Sequence, residues 1–412
     1  MSANAISDLQ CVLCGRRYQP ADVAYTCPLC GSQGVLAVHF DYQRVAAHLQ
    51  ASTLAANRDP TIWRYRALLP LPEGQDSAPP LDIGGTPLYP VTRLRTHLGL
   101  AHLWLKDDSR NPSGSLKDRA TVIAIMRAAG RTVACASTGN AASSLATQAA
   151  SVGLPCIIFV PEHAPRAKVV QLLMCGATVF AVQGSYDQAF DLCIAACERF
   201  GWYNRNTGYN PYLVEGKKTV GLEIAEQLHW EPPDTMLVPT GDGCIISGVY
   251  RAFEDLEQLG LLTRIPRLIA VQSTNSPALV RALESDGVVR ACEATTIADG
   301  ICVEFPRNGA MAVRCIRASR GCGVLVSDQE ILAAAKALAT LTGVFAEPSA
   351  AASYAGLLRL LDEGRLARDE RVVLLVTGSG LKSVEAAATV AGHVVPIAPD
   401  EQGLEIVASR VS

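Results

Sequence analysis

Charge of either sign is scarce in this 412-residue chain: Asp, Glu, Lys and Arg make up 18% of it, and the formal net charge is -3. That balance excludes the basic footprint with which proteins hold nucleic acid or an anionic membrane surface, so neither partner is expected. An anion bound here has to be met by local hydrogen-bond donors. Also lacking is any apolar run long enough to span a bilayer. The first ten residues, MSANAISDLQ, hold no basic stretch leading into an apolar one, so no secretory leader is expected. There is no internal repeat and no low-complexity tract. Cysteine, by contrast, is plentiful at fourteen residues, but the spacing is not that of a small secreted disulfide scaffold. Four fall in one cluster. The other ten, among them Cys135, Cys156, Cys193 and Cys244, sit among apolar neighbours, as buried free thiols of a reducing compartment do. A cytoplasmic location follows as the expectation.

What the chain does have is apolar substance: 49% of its residues are hydrophobic, enough for a large core and more than one domain. Three zones follow one another. Residues 9–38 carry the cysteine cluster in segments too short for a core of their own. Residues 39–80 form a connector ending in the turn-rich LPLPEGQDSAPP, and residues 81–395 alternate short apolar runs with longer amphipathic ones. The runs 103–106, 132–136, 156–160, 178–182, 236–239, 268–271 and 372–376 are nearly continuously apolar and bounded by turn residues, as buried parallel strands are. Helical periodicity lies between them at 141–152, 167–175, 186–200, 219–229 and 329–341. The alternation predicts an α/β protein with parallel sheets covered on both faces, its ligands at the carboxyl ends of the strands.

The cluster Cys11-x2-Cys14-x12-Cys27-x2-Cys30 consists of two CxxC turns, each followed by glycine (Gly15, Gly31). Two such turns close a tetrahedral thiolate site, and four thiolates leave no open coordination position. The expectation is a structural zinc ion in a zinc-ribbon-like segment.

Four loops carry the chemistry. The segment from Lys106 through Asn111-Pro112-Ser113-Gly114 places Lys117 at the start of a helix, near Arg119, in a field that disfavours its proton. Such a lysine forms imines with aldehydes. Ser137-Thr138-Gly139-Asn140-Ala141 joins a buried strand to a helix, and its backbone N–H groups suit a carboxylate. Gly241-Asp242-Gly243-Cys244-Ile245 repeats that design and suits a phosphate, and Thr377-Gly378-Ser379-Gly380 closes the last apolar run.

In this order, the motifs SGSLKDR, STGNA, GDGCI and TGSGLK, with Gly84-Gly85-Thr86-Pro87-Leu88 and Glu347-Pro348-Ser349-Ala350, resemble the fold-type II family of pyridoxal-phosphate enzymes. Within it the chain looks most like the threonine synthases, some of which begin with a similar zinc-ribbon-like segment. The resemblance implies two parallel-sheet subdomains, the smaller, about 118–215, inserted in the larger. It implies that Lys117 carries pyridoxal 5'-phosphate as a Schiff base and that Asn140 bonds its phenolic oxygen. Gly241, Asp242, Gly243, Cys244 and Ile245 would hold its phosphate, and Thr377 would face its ring nitrogen. The substrate, a small amino acid, would lie against Ser137, Thr138, Gly139, Asn140, Ala141, Asn206 and Thr207. A homodimer is also compatible with the family.

The implied reaction is the conversion of O-phosphohomoserine and water to threonine and phosphate, by a lyase. Four features depart from the pattern: Leu213 stands where the family has a phosphate-binding arginine, Asn206-Thr207 lies one residue further upstream than expected, Ser379 stands where histidine is frequent, and Ser383 where aspartate is. Arg205, Lys217 or Arg119 would then have to supply the missing cation, against the ordinary expectation that Arg205 and Lys217 are surface charges. Two other readings stay open: a β-replacement or deamination of another small amino acid on the same cofactor, and a non-catalytic protein led by its zinc ribbon.

Overall fold

The computed structural model describes residues 5–75, 77–164 and 166–411. Residues 1–4 of the stretch read above for a leader, and Asp76 of the connector loop, lie outside the described residues.

All seven apolar runs are strands, and they divide between two sheets. The larger sheet has six strands in the order Cys322–Val326, Arg267–Ser273, Thr235–Pro239, Arg371–Val376, His102–Asp107 and Leu88–Pro90. Every neighbouring pair is parallel except the last. The smaller sheet runs Thr178–Val182, Cys156–Pro161, Val133–Ala136, Tyr203–Asn204, all parallel.

The period of two along each strand explains why the runs read as continuously apolar: successive side chains enter different cores. Met236, Val238, Val373 and Leu375 pack on one face of the larger sheet, with Val220, Ile246 and Phe253. Leu237, Val372, Leu374 and Val376 pack on the other, with Ala351, Tyr354 and Leu357. In the smaller sheet Val133 and Cys135 face the helices Lys117–Ala128 and Asn140–Val152, while Ala134 and Ala136 face the helix Tyr186–Phe200.

Three strands of these two sheets escaped the sequence reading: Cys322–Val326, broken by Gly323, and the short Tyr203–Asn204 and Leu88–Pro90. The helix expected at 219–229 spans Tyr212–Gln227. Its first turns hold Glu215, Lys217 and Lys218, which break the apolar period yet are buried. The charges on Glu215 and Lys218 are neutralised inside the fold, because Lys218 Nζ sits 2.5 Å from Glu215 and 2.6 Å from Asp255.

The cysteine-bearing segment forms an antiparallel sheet of Arg17–Tyr18, Ile6–Cys11 and Leu36–Phe40. Leu9, Leu36, Val38 and Phe40 share a core with Val220 and Phe253 of the larger unit. The ammonium of Lys218 lies 4.1 Å from the centre of the Phe40 ring. No helix among the described residues is long and apolar enough to cross a membrane.

Candidate active site

The loop before Lys117 is held from two sides. Leu116 N donates to Thr377 O at 2.9 Å, and Ser115 bridges Gly378, so the lysine is stapled to the end of the last strand. Asp118, next along, accepts from Ser113 N at 2.7 Å and closes the turn. Arg119 is committed elsewhere. Its guanidinium, fully buried, meets both oxygens of Asp108 at 2.7 and 2.8 Å and both oxygens of Glu223 at 2.5 and 2.8 Å. Lys106 Nζ joins Glu223 at 2.7 Å. Arg119 therefore has no capacity for a substrate anion, which removes one of the three expected substitutes.

The residues picked out from the four loops surround one cleft. Lys117, Asn140, Gly241 to Ile245 and Thr377 line its narrow inner part, together with Glu347 and Ser349. It continues into a cavity of about 410 Å³ lined by Lys117, Ser137 to Ala141, Arg205, Asn206 and Thr207. The two sheets meet here through the carboxyl ends of their strands, where parallel sheets open their loops.

Burial, then the charge of Arg205, lowers the pKa of Lys117, against the pull of Cys244, Asp242 and Glu347. The sequence reading expected this depression from the helix start and from Arg119; the causes are burial and then Arg205, because Arg119 is neutralised by its two carboxylates. A lysine so placed is disposed to be a neutral amine, the form that attacks carbonyls and accepts protons.

At the glycine loop, Gly243 has φ +86° and caps the helix Cys244–Gln258. A Cβ there would come within 2.6 Å of Ala312 Cβ, so the turn is open only to glycine. The first N–H groups of that helix have no partner within it, and its first residues, Cys244 and Ile245, line the cleft. Behind the loop lies Lys217, whose Cβ is 3.1 Å from a Cβ built on Gly248. Its ammonium is buried with no hydrogen-bond partner among the described residues. Burial pulls its pKa down to about 8, with Cys244 opposing and Lys117 and Arg205 assisting.

Arg205 follows the short strand Tyr203–Asn204 and is fully buried, not a surface charge. Its Nε donates to Thr121 Oγ1 at 3.1 Å and its Nη1 to Thr207 Oγ1 at 2.9 Å. Its Nη2 has no partner among the described residues, and neither has the adjacent Asn206 Nδ2. Leu213, the departure that put the substrate in question, packs with Ala120, Ala124 and Leu145 beneath the smaller sheet and lines neither part of the cleft.

Sequence reasoning gave Glu347 no role. It is buried, and its Oε1 accepts from Asn140 Nδ2 at 2.8 Å. Burial raises its pKa, with the Asn140 bond, Lys382 and Lys117 opposing. The signal was present in the Glu-Pro-Ser-Ala motif, which carried resemblance but no stated chemistry. Ser349 of the same motif accepts from Gly300 N at 2.8 Å. Ser379 spends its hydroxyl locally, accepting from Leu381 N at 3.3 Å.

The sulfur atoms of Cys11, Cys14, Cys27 and Cys30 all lie within 4.8 Å of one another. The two knuckles repeat one geometry: Gly15 N donates to Cys11 O at 3.0 Å and Gly31 N to Cys27 O at 2.9 Å. None of the four lines the cleft.

Residues 80–378 match the pyridoxal-phosphate dependent enzyme family. The chain is 37% identical to a threonine synthase of Methanosarcina acetivorans over 380 residues, 91% of this chain and 92% of that one. It is 36% identical to a threonine synthase of Methanocaldococcus jannaschii, covering 92% and 93% respectively. Among solved structures, a threonine deaminase from T.th. superimposes with a TM-score of 0.60 at 26% identity, over 71% of this chain and 92% of that one. The processed form of threonine deaminase isoform 2 from Solanum lycopersicum gives 0.64 at 21% identity, over 75% and 88%, which is a likeness of fold.

Proposed function

The chain belongs to the pyridoxal-phosphate dependent enzymes and, within them, to the threonine synthase family, and from that premise we propose that it converts O-phosphohomoserine and water to threonine and inorganic phosphate. The observation that carries this reading is the identity to threonine synthases along 91% of the chain. The donor set fits the cofactor. A lysine amine stands at the cleft, a glycine loop opens onto a helix N-terminus, and the partnerless Lys217 lies behind that loop.

In this reading Lys117 is the amine that holds pyridoxal phosphate, and Gly241, Asp242, Gly243, Cys244 and Ile245, with Lys217, hold its phosphate. Asn140 addresses the phenolic oxygen and Thr377 the ring nitrogen. The bound cofactor supplies an electron sink for charge that develops at the substrate's Cα. Lys117, depressed by burial and by Arg205, takes and returns the protons at Cα and beyond. Glu347 fixes the amide of Asn140 through the 2.8 Å bond and so sets which way its oxygen points. The N-terminal turn of the helix Asn140–Val152, with Ser137 and Thr138, receives the substrate's carboxylate.

The four thiolates hold a structural zinc ion, a reading supported by the converging sulfurs and the repeated knuckles. A reducing, cytoplasmic setting suits the fourteen cysteines, none of which is joined in a disulfide among the described residues.

The test is turnover of cofactor-loaded protein with O-phosphohomoserine, following threonine and phosphate together. Both products in equal amounts are expected. Ammonia release, or a bound cofactor with neither product, would overturn the reaction and leave another small amino acid as substrate.

A further inference from the structure

The strand Tyr203–Asn204 is an outer edge of the smaller sheet and only two residues long, yet it leads directly into Arg205, Asn206 and Thr207 of the cavity wall. On its inner side Tyr203 N donates to Thr132 O and Arg205 N to Ala134 O, each at 2.8 Å. Backbone donors alternate along a strand, so the N–H between those two, that of Asn204, faces away from the sheet. Asn204 is buried, and a buried N–H needs an acceptor. The acceptor comes from the cysteine-bearing segment: the hydroxyl of Tyr25 takes the Asn204 N–H at 3.0 Å. Tyr25 lines neither part of the cleft. Two residues away on either side of it, Val23 and Cys27 are buried in the core that holds Val220 and Phe253 of the larger unit. The Tyr25 ring instead joins the core under the smaller sheet, with its centre 6.0 Å from that of Tyr203, edge to face, and 5.2 Å from that of Tyr209. The backbone beside it is fixed by the second knuckle, since Thr26 bridges Val35 and Cys27 N donates to Gly34 O at 2.8 Å. Val35 shares a buried cluster with Cys244, the first residue of the helix behind the glycine loop. One short segment is thus anchored on the larger unit and grips the edge strand of the smaller one.

We propose that Tyr25 is a positioning residue of the cleft, through which the cysteine-bearing segment acts as a strap that keeps the strand Tyr203–Asn204 in register and the cavity wall beyond it preformed. A strand held by two backbone bonds on one side peels easily, and the Tyr25 hydroxyl closes its other side. Asn204 passes the constraint on, because its Oδ1 accepts from Asn206 N at 2.8 Å and its carbonyl accepts from Asn210 Nδ2 at 2.8 Å. Asn206 Oδ1 in turn accepts from Ala136 N at 2.7 Å, back in the sheet. The effect of Tyr25 therefore falls on how well the cavity is organised before the substrate arrives, not on the proton transfers at Lys117. The inference rests on the reading above that this cavity takes the amino-acid substrate.

The experiment compares cofactor-loaded wild type, Tyr25→Phe and Tyr25→Ala, with Tyr42→Phe as the control. The control removes the neighbouring hydroxyl contact with Asp255 of the larger unit and leaves Tyr25 in place. Hydrogen exchange is read by mass spectrometry on the peptide spanning Tyr203 to Thr207, and KM and kcat are measured with O-phosphohomoserine. Tyr25→Phe keeps the ring and loses only the acceptor, so that peptide should exchange about tenfold faster. KM should rise about twofold to tenfold, the range one hydrogen bond contributes, with kcat unchanged. Tyr25→Ala should move both further. Tyr42→Phe should leave the exchange of that peptide and the KM at wild-type values, even where the melting temperature falls.

Wild-type exchange of residues 203–207 in both Tyr25 variants overturns the strap. Faster exchange there with KM unmoved makes Tyr25 a structural contact only and overturns its positioning role. An equal effect of Tyr42→Phe would mean a general loosening of the segment and overturns it too. If the wild type makes no product from O-phosphohomoserine, the reaction falls, and the exchange measurement alone decides the strap.

Discussion

The charges buried around the cleft show how far a residue's type can mislead about its place. Lys217 and Arg205 carry the two side chains least expected in a protein interior, and both are completely enclosed. Sequence reading found Lys117 because a lysine at a helix start after a turn has a chemistry of its own. It named Lys217 only as a stand-in for the missing arginine and gave it no part in holding the cofactor, because Lys217 is one of two adjacent lysines in a helix, distinguished from Lys218 only by lacking an acid. That difference makes a prediction. In the proposed reading Lys217, its pKa pulled down to about 8 by burial, holds the cofactor's phosphate as a cation below that pH, and above it the free protein has to take up a proton to bind. Cofactor affinity of the wild type should therefore weaken as pH rises through about 8. Lys217→Met should bind more weakly at neutral pH, by about 1.5–3 kcal/mol, and should have lost that part of the pH dependence. Equilibrium dialysis of apo-protein against pyridoxal phosphate, on both sides of pH 8, checks it. Equal affinities of wild type and variant at the lower pH would remove Lys217 from the phosphate site.

At the scale of elements, the helix Tyr212–Gln227 joins the parts of the site. Leu213 enters the core under the smaller sheet, Lys217 stands behind the glycine loop, Lys218 pairs toward the N-terminal sheet, and Glu223 clamps the lysine loop. Its glycines let neighbours come close: a Cβ on Gly216 would lie 2.1 Å from Arg119 O, and one on Gly221 2.6 Å from Ala252 Cβ. The strands were legible because burial on both faces leaves a short apolar run between turn residues. This helix was only half legible, because its charged residues are balanced by partners distant in sequence, such as Asp255 for Lys218. The clamp yields a second prediction. Burial pushes Glu223 up, but Arg119 and Lys106 outweigh it and hold its pKa at about 2. A depressed carboxylate stabilises the fold above its unfolded value, and that contribution is lost as pH falls through the folded one. Glu223→Gln leaves two buried cations short of a charge, so it should cost about 3–5 kcal/mol near neutral pH. The difference from wild type should shrink on acidification toward pH 2. Urea unfolding at several pH values measures this, and a pH-independent difference would mean that shape, not charge, is what Glu223 contributes.

On the scale of the whole molecule, the cysteine-bearing sheet poses the question of cooperativity. From its sequence it looked like an appendage, since two knuckles and a few short segments cannot build a core. The structure agrees about the shortage and shows how it is met: Leu9, Leu36, Val38 and Phe40 borrow the core of the larger unit. The docking is reinforced where Tyr42 donates to Asp255 at 2.7 Å, and Asp255 is the same carboxylate that neutralises Lys218. A sheet that shares its apolar contacts with the helices Tyr212–Gln227 and Cys244–Gln258 has no separate state to melt into. With the four thiolates holding zinc as proposed, loss of the ion should therefore not appear as an independent low-temperature transition. Cys11→Ser combined with Cys14→Ser should shift one cooperative thermal transition downward, by several degrees or more. The chemistry should persist at temperatures where the variant is folded, because a site closed by four thiolates has no open coordination position. Differential scanning calorimetry with zinc content measured on the same samples, and kcat at a temperature below both transitions, tests the two halves separately. Two resolved transitions would show that the shared core is too weak to couple the parts. A folded variant without turnover would mean that the cysteine sheet acts on the cleft through the helices on which it rests.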